Sequence, residues 1–252
     1  MAFIFKQFEV EDRQSTLRVG TDAMLLGSWA SPIHATRILD IGTGCGVLAL
    51  MMAQKSGATI EAIDIDPASV NEARGNFERC PWSDRISAVH ETLQHLAAGS
   101  MHGYDFIITN PPYFSNLLKS PSQRKNHTRH DLSLTREELV QSVLKILTEN
   151  GRFALILPAG VAETFIALAG TSGLFLQRRL DVSAKPASPP LRTLMEFGRM
   201  DCRPANEPTL SLRDDSGGYM PEYLLLTAEF HYFHPGGHHA GIAGSQAPAN
   251  PL

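Results

Sequence analysis

Asn110-Pro111-Pro112-Tyr113 is a run of residue types that can do chemistry. It closes the apolar run Tyr104–Asn110 (YDFIITN). Two prolines suit neither a helix interior nor a central strand, so the chain must leave a sheet here in a fixed shape. An exocyclic amine on a base, or an amide nitrogen, is a weak nucleophile because its lone pair is delocalised. The Asn110 side-chain oxygen and the Pro111 carbonyl can each accept one N–H bond. That draws the nitrogen toward tetrahedral geometry and frees its lone pair. The Tyr113 ring can stack on a planar substrate. No strong base is needed, since the proton leaves easily after transfer, and the work is positioning and electrostatics. The candidate catalytic residues are therefore Asn110, Pro111, Pro112 and Tyr113.

A second constellation is Leu39-Asp40-Ile41-Gly42-Thr43-Gly44-Cys45-Gly46. Glycines allow a tight turn and close approach of a ligand to the backbone. Asp40 precedes the first glycine, where a carboxylate repels a pyrophosphate but suits a ligand carrying an ammonium and a sulfonium. Asp64 follows about 20 residues on, at the end of the next strand, where a carboxylate can accept from both ribose hydroxyls. The loop has no lysine for a phosphate. A third feature is the stretch Lys119–His130, with Lys119, Arg124, Lys125 and Arg129 beside His127 and His130 and no acid. Because it follows the Asn-Pro-Pro-Tyr run so closely, it is a candidate contact for phosphates. Arg178, Arg179, Lys185 and Arg192 form a weaker basic cluster.

These residues need a scaffold. Strands are expected at 36–42, 58–64, 85–90, 104–110 and 152–158, alternating with helices at 45–55, 67–79 and 135–149. Pro67 suits a first helical position, and Thr135 with Glu138 has capping-box spacing. This rhythm indicates right-handed crossovers and a mostly parallel sheet covered on both faces. Two more strands are expected near 174–183 and 191–200, and a helix within 220–233, where Pro221 stands early. Residues 234–252 are rich in Gly, Pro, Ala and His and read as a tail without function and without a metal site. The division expected is a covering segment 1–35, an α/β domain 36–233 and the tail.

Composition narrows the function class. No apolar run reaches the roughly 20 residues that span a bilayer, and the opening MAFIFKQFEVEDRQ has too short an apolar stretch for a secretory signal. The 3 cysteines lack paired spacing, which points to free thiols in a reducing compartment and a cytoplasmic location. The net charge is −4, so any RNA affinity must come from local positive charge.

LDIGTGCG, AIDIDP and TNPPYF together resemble the class I amino-methyltransferases. The opening FKQF…LRVGTDAMLLGSWA resembles more particularly the bacterial tRNA1(Val) (adenine-N6)-methyltransferase family, over residues 3–233. Pro81-Trp82, Leu157-Pro158 and the aromatic end EFHYF reinforce it. The resemblance implies an α/β, class I Rossmann-like fold: a doubly wound, mostly parallel seven-stranded sheet with an antiparallel C-terminal strand. It implies S-adenosyl-L-methionine as cofactor and tRNA as partner, with no membrane and no obligate protein partner. Thr21 and Asp22 would lie over the cofactor's methionine end. Asp40, Gly42 and Gly44 would line its loop, Asp64 would hold the ribose, and Asn110 would border it while Asn110 to Tyr113 hold the target. The family's acid for the cofactor adenine amine falls on Thr92, with Glu91 beside it able to serve after a one-residue slip. Lys119, Arg124, Lys125, Arg129 and His130 would meet the RNA.

Three other readings share some of these features. Protein (glutamine-N5) methyltransferases acting on release factors share Asn-Pro-Pro-Tyr but carry a separate N-terminal helical domain, for which residues 1–35 leave little room. An amino-methyltransferase of rRNA or DNA would use the same motif. A non-catalytic cofactor- or RNA-binding module would not need it intact.

Overall fold

The computed structural model describes residues 2–15, 19–99, 103–111 and 134–231. A hairpin, β1 (Ala2–Ile4) with β2 (Glu9–Glu11), comes first, then helix α1 (Thr21–Trp29). The alternating core follows as β3 (Arg37–Ile41), α2 (Val47–Lys55), β4 (Thr59–Asp64), α3 (Pro67–Glu78), β5 (Ile86–His90), α4 (Leu93–Gly99) and β6 (Tyr104–Thr109). It continues with α5 (Arg136–Ile146), β7 (Leu147–Pro158), α6 (Ala159–Ser172), β8 (Phe175–Ser183) and β9 (Pro190–Gly198). Two short strands, β10 (Ala205–Asn206) and β11 (Leu210–Ser211), and helix α7 (Pro221–Thr227) complete the described chain.

Helix starts follow local chemistry. The Asp66 side chain accepts from the amides of Ala68 and Ser69, with Pro67 at the first position of α3. The Thr135–Glu138 capping box opens α5 as its spacing predicts.

The sheet runs β10-β8-β9-β7-β6-β3-β4-β5, with β11 also on β8. Strands β3 to β7 are parallel, and β9 is antiparallel to both β7 and β8. This is the doubly wound, mostly parallel arrangement expected, with the last long strand reversed. The seven long strands match the expected number, and β10 and β11, each 2 residues, add to it. Alternate residues are buried on opposite faces. Ile38, Phe106, Ile108, Ala154 and Ile156 meet α1, α2 and the N-terminal hairpin, whereas Leu39, Ile107, Phe153, Leu155 and Leu157 meet α5 and α6. Burial on both faces explains why these strands read as continuous apolar runs. Phe5, Phe8, Val10 and the buried side of α1 share the first of these cores.

Two boundaries differ from expectation. The helix expected to 149 ends at Ile146, and Leu147 is already extended opposite Tyr104. Leu147 is buried, and the Arg199 guanidinium donates to the carbonyls of Leu144 and Leu147, satisfying the helix end early. Asn150-Gly151 therefore lies within β7, at an irregularity between the Tyr104 and Phe106 pairings. In the C-terminal stretch only Pro221–Thr227 is helical; the chain then turns and buries Phe230, whose carbonyl accepts from the Lys6 amide at 3.0 Å. The tail 234–252 lies outside the described residues.

Candidate active site

Chain order reverses between neighbouring strands β3 and β6: β4 and β5 follow on one side, β7 on the other. In such sheets a crevice opens at the carboxyl ends of the two strands at the switch. Both sequence motifs lie there. The Thr109 hydroxyl donates to the Ile41 carbonyl at 2.8 Å, and Thr109 pairs with Ile41 and with Leu155. Asn110, half-buried, thus stands beside Gly42, with Pro111 buried behind it. Pro112, Tyr113 and the basic stretch Lys119, Arg124, Lys125, Arg129 and His130 lie outside the described residues.

The glycine loop is held by its neighbours. The amides of Gly42 and Thr43 donate to the Ile63 carbonyl at 2.9 and 3.0 Å. Gly42, Gly44 and Gly46 have φ of 68°, 55° and 87°, which side chains resist. At Gly46 a Cβ would also lie 2.4 Å from the Phe77 ring, whereas at Gly42 it would meet only open space. The loop packs tightly behind and is open in front. Cys45 is no nucleophile, because burial pushes its thiol up to about 12.

Asp40 is fully buried. Its Oδ2 accepts from the Thr43 hydroxyl at 2.6 Å and the Ala49 amide at 3.2 Å. Its Oδ1 has no hydrogen-bond partner among the described residues. Burial pushes the carboxyl up to about 7; the Thr43 and Ala49 donors oppose this, and the charge of Asp64 adds to it. A buried acceptor left over at a glycine loop calls for a donor or a cation from outside.

Asp64 is buried and ties the loop to α3, with Oδ2 accepting from the Gly44 amide and Oδ1 from the Asp66 amide, both at 2.9 Å. Each carboxylate oxygen still has lone-pair capacity for a further donor. Past β5, Thr92 acts as a helix cap, its hydroxyl accepting from the His95 amide at 3.1 Å. Glu91 stands beside it. Its carboxylate bonds the His95 ring at 2.6 Å and the Thr92 amide at 2.8 Å, and these contacts hold it below the usual range. Ile65 and Val89, 51% and 37% exposed, add apolar surface at this edge. Ile65 follows directly on the strand-end acid Asp64, a position whose exposure the sequence does not announce.

Thr21, exposed, and Asp22 open α1. The Asp22 carboxylate pairs with the Arg192 guanidinium, Nε to Oδ2 at 2.9 Å, and Arg192 faces Pro158 across β9 and β7. So the first turn of α1 stands at the carboxyl edge. In the second basic cluster Lys185 is exposed, whereas the three arginines are engaged by acids. Arg178 pairs with Glu196 and Glu207 and lies over the Trp29 ring, Arg179 pairs with Glu163 and Asp181, and Arg192 with Asp22. Except for Asp181, two residues along the same strand, the acids that balance these arginines are distant in the sequence.

The methyltransferase small domain model matches residues 15–162. The chain is 39% identical over 232 residues to the tRNA1(Val) (adenine(37)-N6)-methyltransferase of Bacteroides fragilis, covering 91% of this chain and 97% of that one. The enzyme of the same name from Yersinia pestis is 36% identical over 231 residues, covering 91% and 93%. The chain belongs to this methyltransferase family. Among solved structures, one described as a predicted O-methyltransferase from Agrobacterium tumefaciens superposes with TM-score 0.65 at 19% identity, covering 83% of this chain and 96% of that one. That likeness is one of fold.

S-adenosylmethionine is the cofactor of these methyltransferases, and the residues present fit it. The vacant Asp40 acceptor suits an ammonium, the open front of Gly42 admits a ligand close to the backbone, and the exposed Ile65 offers apolar surface to a base. Among the described residues no helix is long and apolar enough to cross a membrane.

Proposed function

We propose that this protein methylates the exocyclic N6 of adenine 37, beside the anticodon of valine tRNA. The observation that carries this reading is the Thr109–Ile41 pairing, which sets Asn110-Pro111 beside a glycine loop holding a buried, vacant acceptor. The substrate follows from relatives named for that nucleotide, which match 91% of the chain. When bound, the cofactor supplies an electrophilic methyl carbon on a sulfonium. Asp40 receives its ammonium, Gly42 and Gly44 line its passage, and Thr21 and Asp22 stand over its methionine end. Asp64 receives the ribose hydroxyls and Glu91 the adenine amine.

Asn110 and Pro111 accept the two N–H bonds of the target amine. Its lone pair is thereby localised toward the donor, and the proton is lost to solvent after transfer. Pro112 completes the motif, and the Tyr113 ring is the partner for stacking on the flipped adenine. Lys119, Arg124, Lys125, Arg129 and His130 orient the RNA through its phosphates. Acting on tRNA puts the enzyme in the cytoplasm. The test is transfer of a tritiated methyl group to total tRNA from a strain lacking the enzyme, followed by nucleoside mass spectrometry. N6-methyladenosine in valine tRNA is expected. Label in release factor, or in another base, overturns the substrate assignment.

A further inference from the structure

One stripe of α3 holds the N-terminal segment against the glycine loop. The Glu72 carboxylate accepts from three consecutive backbone amides: Arg13 at 2.7 Å and Gln14 at 2.9 Å on Oε1, and Ser15 at 2.7 Å on Oε2. Burial raises its pKa, but the donors of residues 13–15 outweigh that and hold the carboxyl below its ordinary value. One turn along the same face, Asn76 is fully buried. Its Oδ1 accepts from the Glu11 amide at 2.9 Å, and its Nδ2 donates to the carbonyls of Glu11 and of Cys45, both at 2.8 Å. Cys45 is part of the glycine loop, so one side chain bridges the N-terminal strand and that loop. Past Ser15 the Val19 amide donates to Asp12 at 3.1 Å, and the chain enters α1, whose Asp22 is fastened to Arg192 at the carboxyl edge.

We propose that Glu72 and Asn76 are positioning residues that clamp residues 11–15 as a strap beside the glycine loop, and that the strap sets how tightly S-adenosylmethionine is retained. This rests on the cofactor reading above. The clamp reaches the glycine loop through Asn76 and Cys45, so the effect expected is on cofactor affinity and not on the transfer step. Coupling between two such sites is reciprocal: a strap that tightens the cofactor is itself tightened by it.

Glu72→Gln is the selective probe. It replaces one acceptor oxygen with an amide NH2, leaves the glycine loop untouched, and alters a half-buried side chain on the surface of α3. Hydrogen exchange resolved to residues 11–15, calorimetry with S-adenosylmethionine, and steady-state kinetics on tRNA are read together. In the wild type the cofactor slows exchange of the 13–15 amides. In Glu72→Gln those amides exchange fast, and cofactor affinity falls about tenfold, equivalent to about 1.4 kcal/mol. The KM for the cofactor rises in step while kcat and the KM for tRNA hold. Glu78→Gln, one face away on the same helix and exposed, changes none of these.

A Glu72→Gln protein with fast-exchanging amides and cofactor affinity within twofold of wild type overturns the proposal, as does a wild type whose 13–15 amides ignore the cofactor. If Glu72→Gln lowers the melting temperature sharply, Asn76→Asp decides. It keeps an acceptor for the Glu11 amide but loses both donations, to the Glu11 and Cys45 carbonyls, and must weaken the cofactor for the clamp to stand. A wild-type protein that fails to bind S-adenosylmethionine at all refutes the cofactor reading instead.

Discussion

Asp40→Asn should make the cofactor-free protein more stable above neutral pH while weakening its grip on the cofactor. The carboxyl is pushed from 3.8 to about 7 in the fold, with burial as the largest cause. Its folded pKa lies above the unfolded one, so between those values the native state holds more protons, and stability falls as pH rises. The full cost, reached above pH 7, is about 4 kcal/mol, at about 1.36 kcal/mol for each pH unit that separates the two values. From pH 5 to pH 8 the part incurred is about 2–3 kcal/mol. Asparagine carries no charge and keeps an oxygen for the Thr43 and Ala49 donors, but its NH2 takes the vacant position, at about 1–3 kcal/mol if left unpaired. The net expectation at pH 8 is a variant more stable by about 1–3 kcal/mol, from the difference of those two costs. Cofactor affinity should fall by about 10- to 150-fold, the equivalent of one charge-assisted bond of about 1.5–3 kcal/mol. Urea unfolding of both proteins at pH 5 and pH 8, without cofactor, isolates the effect, since every other titrating group is common to both. A stability difference between them that does not change with pH refutes the buried-charge reasoning. Unchanged affinity by calorimetry refutes the role of Asp40 toward the ammonium.

Asn110→Ala should fold and bind cofactor normally, yet lose at least about a hundredfold in kcat, as when a preorganised polar contact is removed; near-normal turnover on tRNA would contradict it. Gly46→Ala forces a Cβ to within 2.4 Å of the Phe77 ring at φ 87°, so the melting temperature should fall together with cofactor affinity, the strain alone being worth about 1–3 kcal/mol. Neutralising Arg124, Lys125 and Arg129 together should raise the KM for tRNA and leave cofactor binding intact. It should also flatten the salt dependence by up to about 0.9 log units for every phosphate that is no longer neutralised, somewhat less on single strands. A salt slope equal to that of wild type would remove the loop from the RNA site.

The elements that rest on neighbours in the chain were legible from the sequence alone. Asp66-Pro67 and Thr135 with Glu138 cap their helices because caps are made within one turn. The runs around Leu39, Ile107 and Leu155 read as strands because both their faces are buried. The glycine loop and Asn-Pro-Pro-Tyr were recognisable because special backbone shapes demand special residues. Tertiary structure decided everything that depends on which strand lies beside which. Asn110 meets the glycine loop only because β6 pairs with β3, and no local signal states that order. The helix expected through 149 stops at Ile146 because Leu147 finds Tyr104 and Arg199 reaches the helix end from a distant strand. Arg192 looked like a phosphate contact until β9 set it against Asp22, 170 residues away in the chain. Glu72 and Asn76 look like ordinary polar positions of a surface helix, and only the packing of the N-terminal segment turns them into a clamp. A side chain's type limits what it can do, whereas its partner is set by non-local strand and helix packing. For that reason the chemistry of this site could be read early, and its supports only from the fold.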